Sequence, residues 1–379
     1  GTSDQSLLFP NLQTIGRINV YSLPETSGLS QSSTDWTYEC QLGLQNPFGS
    51  QFGGSDGLCD PITKQILIGD DFGSIIRTTV NLNTGNRVIA SRANFGFVKE
   101  NGACISIWEE NSNKQHIISG VIQLWDSYAG SDNKFTLNAK LSFGRDFNIS
   151  NNVLLAAIRV PSTDCIGSVT PIYKIAYFKR NDTLALWQFQ NFIQSPNLLE
   201  DFGVSILISP DASYAIVGSP TLPVNGTPGI GGTVYVYTLS SSGTWNLNSH
   251  LSDPFASVNT KGAFGYFLSS DPLFVVLSIS ANQNNVLTAP PTFIEKTETN
   301  DRPKVVFVSI DQTGKTLSNV SPQIIAQPGT SQLNQYLDPL FGCNLAFAFT
   351  DNAYGKLIQI CLASPMNQTV SISNMSPGK

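Results

Sequence analysis

The chain has 379 residues, a net charge of -6 and a pI near 4.9, and its Lys, Arg, Asp and Glu together make only 13% of the sequence. That is about half the usual charged share, and no stripe of Lys and Arg is present to displace counterions, which argues against a nucleic-acid partner. No apolar run approaches the roughly 20 residues that span a bilayer, so the given chain is not expected to insert into a membrane.

Hydrophobic residues at 41% and aromatics at 10% supply a packed core, and the length leaves open one large domain or a few average ones. The dipeptide Phe-Gly occurs eight times, at Phe48, Phe52, Phe72, Phe95, Phe143, Phe202, Phe264 and Phe341, where 22 Phe and 31 Gly in 379 residues give about two by chance. The excess marks an internal repeat, which decides the fold before any other feature.

In chain order, strands are expected first at residues 16–21 and 36–42. Repeat copies then open at Phe52, Phe95, Phe143, Phe202, Phe264 and Phe341. Second strands are expected at 66–69, 116–120, 154–158, 274–278 and 357–362, and third strands at 122–125, 172–178 and 304–309. The clearest copy runs Phe202-Gly203-Val204-Ser205-Ile206-Leu207-Ile208, then Tyr214-Ala215-Ile216-Val217-Gly218-Ser219-Pro220, then Gly232-Thr233-Val234-Tyr235-Val236-Tyr237, and closes near Trp245. Alternation of Val with Tyr gives a two-sided strand, and Gly and Pro are expected to break the ladder where the chain turns.

This copy resembles the FG-GAP repeat of integrin α-subunit heads. In that family Phe-Gly opens the repeat, a Gly-Ala-Pro-like triplet ends strand two (here Gly218-Ser219-Pro220, echoed by Ala363-Ser364-Pro365), and G-x-V-x-V-Y makes strand three. Four strands per unit make a propeller blade. The copy at Phe341 lacks its last strands, while residues 16–42 form an orphan third and fourth strand. Joining the two would remove an exposed edge. The expected fold is therefore all-β: a single β-propeller over residues 1–379, with six four-stranded blades and a ring closed by the N- and C-terminal strands. The resemblance implies seven blades, so a degenerate one could lie in the 90 residues spanning the ends. A pair of β-sandwiches is the alternative; it shares short strands but does not explain complementary half-blades. Residues 1–15 form an N-terminal extension, whose apolar Leu7-Leu8-Phe9-Pro10 either packs on its own propeller or pairs with a neighbouring subunit.

Chemistry-bearing motifs are sparse. The resembling family often carries calcium loops of the D-x-D-x-D-G type. The nearest approaches here, Ser55-Asp56-Gly57, Gly69-Asp70-Asp71, Gly130-Ser131-Asp132 and Ser209-Pro210-Asp211, lack the alternating acids, so no metal and no cofactor is expected. His116 and His250 are the only imidazoles, His116 read as structural and His250 as exposed, and no G-x-S-x-G elbow is present. Paired carboxylates from different blades would be invisible at this level, and arginines such as Arg77, Arg145 and Arg159 form no cluster that would clamp a carboxylate. Trp36, Trp108, Trp125, Trp187 and Trp245 read as core between blades, with sugar stacking the sharper alternative.

Six cysteines without a CxxC pair suit disulfides in an oxidising compartment, buried free thiols being the other reading. Cys343 with Cys361 is the first candidate pair, across a hairpin turning near residues 352–355. Cys59 with Cys104 is the second, on the expectation that both lie in first strands. Sequons at Asn148, Asn181, Asn225, Asn319, Asn367 and Asn374 permit glycosylation, in a number that chance supplies in so Asn-rich a chain. The resulting expectation is a secreted, non-enzymatic protein. It would bind protein or glycan partners through loops such as 221–232 and 282–302 and take part in adhesion, matrix or self-assembly. The alternative is an extracellular hydrolase or lectin with a glycan site in the central channel.

Overall fold

The structure, a computed structural model, describes residues 2–4, 15–22, 37–42, 75–93, 102–129, 135, 137–160, 172–181, 186–196, 201–220, 232–254, 262–270, 274, 276–283, 304–326, 345–349, 355–359 and 370–371. These fall in two compact units, residues 1–145 with 149–171 and 176–190, and residues 146–148 with 172–175 and 191–379. Among the described residues the elements are strands, apart from one short helix, α1 (Leu137–Ser142), and one 3-10 turn (Asp126–Ala129).

Four sheets have four antiparallel strands each, taken in sequence order. The first holds β4 (Ile76–Val80), β5 (Arg87–Ala93), β6 (Cys104–Glu110) and β7 (His116–Gln123). The second holds β8 (Phe147–Ser150), β9 (Val153–Val160), β10 (Ile172–Asn181) and β11 (Leu186–Gln194). In the third are β12 (Ser205–Ile208), β13 (Tyr214–Pro220), β14 (Gly232–Leu239) and β15 (Trp245–Ser252), and in the fourth β16 (Gly262–Ser270), β17 (Val276–Gln283), β18 (Lys304–Asp311) and β19 (Thr316–Ala326). Such up-and-down sheets are the blades of a β-propeller. Two three-stranded sheets complete the list: β1 (Thr2–Asp4), β2 (Ile15–Ser22) and β3 (Thr37–Leu42), then β20 (Leu345–Phe349), β21 (Gly355–Gln359) and β22 (Val370–Ser371).

The Phe-Gly repeat has a packing function that the sequence does not display. Phe143, Phe202 and Phe264 are fully buried, and the glycines after them, Gly144, Gly203 and Gly265, all take positive φ, of 69°, 83° and 86°. A side chain is strained there. The Gly144 and Gly203 amides donate to the Ala157 and Gly218 carbonyls near the ends of the second strands, at 2.9 and 3.0 Å. Gly265 rests on the preceding blade: a Cβ there would stand 3.1 Å from Val234 Cγ2, and one on Gly218 would collide with the Gly265 carbonyl. Gly144 lies in the same way against Ile105 of β6 and Arg92 of β5, and Arg92 donates to the Phe143 and Leu141 carbonyls at 3.0 and 2.7 Å.

The opposite ends of the strands turn tightly. Lys114, Asn151, Ala212 and Lys315 take positive φ in these hairpins, as do Gly85 and Gly243. Asn81, Asn111, Asp211 and Asp311 each accept a backbone N–H two residues on, at 2.9–3.1 Å. Such Asx turns account for part of the Asn- and Asp-rich, weakly charged composition.

Several expectations need correction. Four four-stranded blades are present among the described residues, not six. Phe95 opens no blade, because it lies between β5 and β6, and residues 116–125 hold the single fourth strand β7 and not a second and third. The interruption at Gly120 is a close approach: a Cβ there would stand 2.8 Å from Trp187. Nor does the Gly218-Ser219-Pro220 triplet break its ladder, since all three residues pair with β14.

The shared terminal sheet is not found among the described residues, where β2–β3 and β20–β21 belong to different sheets. Each recruits a short strand from its own end, Thr2–Asp4 beside β2 and Val370–Ser371 beside β21.

Candidate functional site

The densest polar cluster sits where β6 meets its turn to β7. All seven residues of β6 are buried, and the strand ends on two acids, Glu109 and Glu110. Consecutive strand residues face opposite sides of a sheet, so the carboxylates find different partners. Glu109 takes an ion pair from Arg180 Nη2 on β10 at 2.9 Å, with Asn81 Nδ2 donating at 3.1 Å and Thr84 Oγ1 at 3.4 Å from the β4–β5 turn. Glu110, 2% exposed, accepts Arg87 Nη2 at 2.8 Å and Nε at 3.3 Å, with Lys114 Nζ 3.7 Å away. Arg87 Nη2 reaches on to both oxygens of Glu39 on β3 at 3.3 Å.

The electrostatics follow from these bonds. Hydrogen bonding to Arg87 brings Glu110 down to about 2 against the opposing effect of burial, and Arg87 is raised in return. Beside them Cys40 Sγ lies 3.9 Å from His116 Nδ1. Burial and then Glu39 push the Cys40 thiol up, against Arg87, and burial and Arg87 push His116 down. The pair is therefore a neutral thiol beside a neutral imidazole, the reverse of an activated thiolate. Its surroundings are apolar: Ile18 and Val20 of β2 and Leu42 of β3 pack with Ile89, Ala93, Cys104 and Trp108 of the β4–β7 blade. Chemically, the cluster ties β3, the β4–β7 blade and Arg180 together.

Sequence reasoning missed this cluster because its members lie up to 141 positions apart, from Glu39 to Arg180. One signal was available: Glu109-Glu110 ends an apolar strand, and Arg180 is the penultimate residue of another.

The other sequence candidates are scattered. Cys104 is fully buried on β6, a third strand and not the first strand expected of it, while Cys59, Cys343 and Cys361 lie outside the described residues. Asn148 donates through Nδ2 to the Ile206 carbonyl at 3.0 Å. Asn181 ends β10 and Asn319 lies within β19; Asn225, Asn367 and Asn374 lie outside the described residues. Asp211 accepts Ser209 Oγ at 2.6 Å and the Ser213 amide at 3.1 Å, and these bonds lower its pKa although burial raises it. The other three acidic turns, Trp36, Leu7 to Pro10 and the loops 221–231 and 284–302 lie outside the described residues. Trp108 and Trp245 are buried, whereas Trp125 is 46% exposed. His250 is exposed on β15. Among the described residues, no group of three or more His, Cys, Asp or Glu side chains is placed to hold a metal ion.

Comparison with known proteins gives no family match, and no curated protein matches either. Among solved structures, a putative 6-phosphogluconolactonase from Bacteroides uniformis aligns over 78% of this chain and 83% of its own, at 9% identity and a TM-score of 0.36. The Nup133 β-propeller domain of Vanderwaltozyma polyspora aligns over 71% of this chain and 64% of its own, at 13% identity and a TM-score of 0.37. A Trypanosoma rangeli sialidase aligns over 92% of this chain and 48% of its own, at 11% identity and a TM-score of 0.38. Enzymes and non-enzymes thus stand side by side at similarities too low to transfer an activity, and what the chain itself displays is a set of β-propeller blades.

Proposed function

We propose that the chain is a non-catalytic binding and assembly protein of the extracellular space, similar in repeat design to the FG-GAP propellers of integrin α-subunits, that contacts protein or glycan partners through its blade-connecting loops. The observation carrying this reading is the state of its best-built polar cluster. Glu109 and Glu110 face opposite sides of β6 and are each engaged by an arginine, Cys40 is held as a thiol and His116 as a neutral ring. A paired-carboxylate hydrolase needs two acids converging on one bond, and a nucleophile needs an activating base. Carboxylates that instead join sheets support a scaffold.

A Cys343–Cys361 disulfide belongs to the same reading. The β20–β21 register pairs Leu345 with Gln359; if continued outward by two residues on each strand, it would set positions 343 and 361, which lie outside the described residues, opposite each other. The test is a glycan array and an extracellular-protein array run beside a panel of glycoside and ester substrates. Saturable binding without turnover is expected. Turnover of any panel substrate by purified chain, abolished by substitution of a residue of this chain, would overturn the proposal.

A further inference from the structure

Two metal-ligating side chains meet where β3 lies against the β4–β7 blade. Cys40 of β3 and His116 of β7 come from different sheets of the same compact unit, and Cys40 Sγ stands 3.9 Å from His116 Nδ1. Both backbones are held in register: Cys40 pairs with Val20 across β2–β3, and His116 with Glu110 across β6–β7. A thiol is a weak hydrogen-bond donor, and 3.9 Å exceeds the usual hydrogen-bond range. His116 Nε2 is buried and makes no hydrogen bond among the described residues, so this contact alone leaves the imidazole poorly satisfied.

The separation fits a bridging ion better than a hydrogen bond. Bonds of about 2.3 Å to a Cys sulfur and about 2.0 Å to a His nitrogen span the 3.9 Å at an angle of about 130°. That is wider than the tetrahedral angle of a zinc site, and among the described residues no third His, Cys, Asp or Glu joins the pair. The neighbouring carboxylates are engaged, Glu110 by Arg87 and Lys114 and Glu39 by Arg87. A site of one sulfur and one imidazole with few ligands suits a soft ion. Charge narrows the choice. A thiolate and a monovalent cation form a neutral unit, which can lie against Ile18, Val20, Leu42 and Trp108, whereas a divalent ion would leave a net positive charge in these apolar surroundings, beside Arg87.

We propose that Cys40 Sγ and His116 Nδ1 form a two-ligand site for a soft monovalent cation of the Cu(I) class, which clips β3 to the β4–β7 blade. Binding replaces the Cys40 S–H bond by a sulfur–metal bond and releases the proton to water. The metal enters and stays as Cu(I), so no electron is transferred. Cys40 is partly exposed, unlike the buried Cys104, so the ion reaches it from solvent. The site goes beyond the binding reading above and does not depend on it.

The experiment is a titration of the full chain with Cu(I) under nitrogen, against a chromogenic Cu(I) chelator. Wild type is expected to hold one equivalent more than Cys40→Ala and one more than His116→Phe, since the other cysteines are common to all three chains and cancel. Circular dichroism checks that both variants fold. A second measurement needs no variant: alkylation of Cys40 by iodoacetamide, followed by peptide mass spectrometry, should slow about tenfold with free Cu(I) at ten times its dissociation constant. Zn(II) at the same concentration should not slow it. Equal stoichiometry in the three chains, or Cys40 alkylation that ignores Cu(I), overturns the proposal. Protection by Zn(II) as strong as by Cu(I) overturns the choice of a soft monovalent ion, and full Cu(I) binding by His116→Phe overturns the role of the imidazole.

Discussion

Two blade contacts in this molecule use the same backbone device and different side-chain chemistry. Where β16–β19 meets β12–β15, the core is dry: Tyr214, Ile216, Val234 and Val236 pack with Phe264, Leu277, Ile279 and Val306. The Tyr214 and Phe274 rings meet edge to face with centroids 5.7 Å apart. Where the β4–β7 blade meets Arg180 of β10 and Glu39 of β3, the hairpin end is tied by ion pairs. The Phe-Gly turn is common to both contacts. It fixes how closely one blade approaches the next, and the side chains around it are then free to be apolar or charged.

The largest expected effect attacks the shared device. Gly218→Val drives a branched side chain into the Gly265 carbonyl, and a backbone atom cannot rotate away, so a loss of about 3 kcal/mol or more is expected in urea unfolding. Gly243→Ala is the control: its φ is 82° but nothing lies within 4 Å, so only backbone strain of about 1 kcal/mol applies. Equal losses for the two would show that close approach is not what Gly218 provides.

Next comes the charged contact. Arg180→Ala leaves the Glu109 carboxylate, 10% exposed, without its cation, and a loss of about 3 kcal/mol is expected. Arg87→Ala should lose less, about 1–2 kcal/mol, because Arg87 is 42% exposed and solvent already screens it. Thermal unfolding in low and high salt should separate these from Gly218→Val, whose loss is independent of salt.

Acid sharpens the comparison further. The pKa of Glu110 falls from an ordinary 4.5 to about 2 on folding, so the stability it contributes is present above 4.5 and is lost as pH drops toward 2. The lowered pKa of His116 acts in the same direction, beginning below its ordinary 6.5. Melting temperature should therefore fall with acid in two steps, and Glu110→Gln should flatten the lower one. An unchanged lower step in that variant would refute the assignment.

The smallest effects lie in the dry contact and the turns. Tyr214→Phe removes a hydroxyl that accepts Gln312 Nε2 at 3.2 Å, worth about 1 kcal/mol in urea unfolding. Asn111→Ala removes the acceptor of the Asn113 and Gln115 amides at 2.9 and 3.0 Å, and about 0.5–1 kcal/mol is expected.

Much of the blade design was legible in the sequence. The second and third strands of the Phe202 copy stand as the pattern placed them, at Tyr214–Pro220 and from Gly232 onward. The reading failed where a glycine has two physical meanings. In the sequence Gly120 reads as a strand end, whereas in the structure it makes room for Trp187; reading it as an end splits β7 in two and puts a blade at Phe95. Phe72-Gly73, with Phe72 four residues ahead of Ile76, gives the spacing to β4 that Phe143-Gly144 keeps before β8. The charged cluster was legible only as charges at the ends of apolar strands, because no local pattern links Glu39, Arg87, Glu110 and Arg180 to one another.

The Phe-Gly contact also runs in one direction along the chain. Gly144 covers strands of the blade before it, and so does Gly265. A blade emerging from the ribosome therefore cannot finish packing its second and third strands until the next Phe-Gly has been made. Successive copies from Phe143 to Phe202 and Phe264 are 59 and 62 residues apart, which at about 5–20 residues per second is a wait of roughly 3 to 12 s. During that interval the glycine at position 218 faces water, and a chaperone that shields the second strand would act there, one blade behind the point of synthesis.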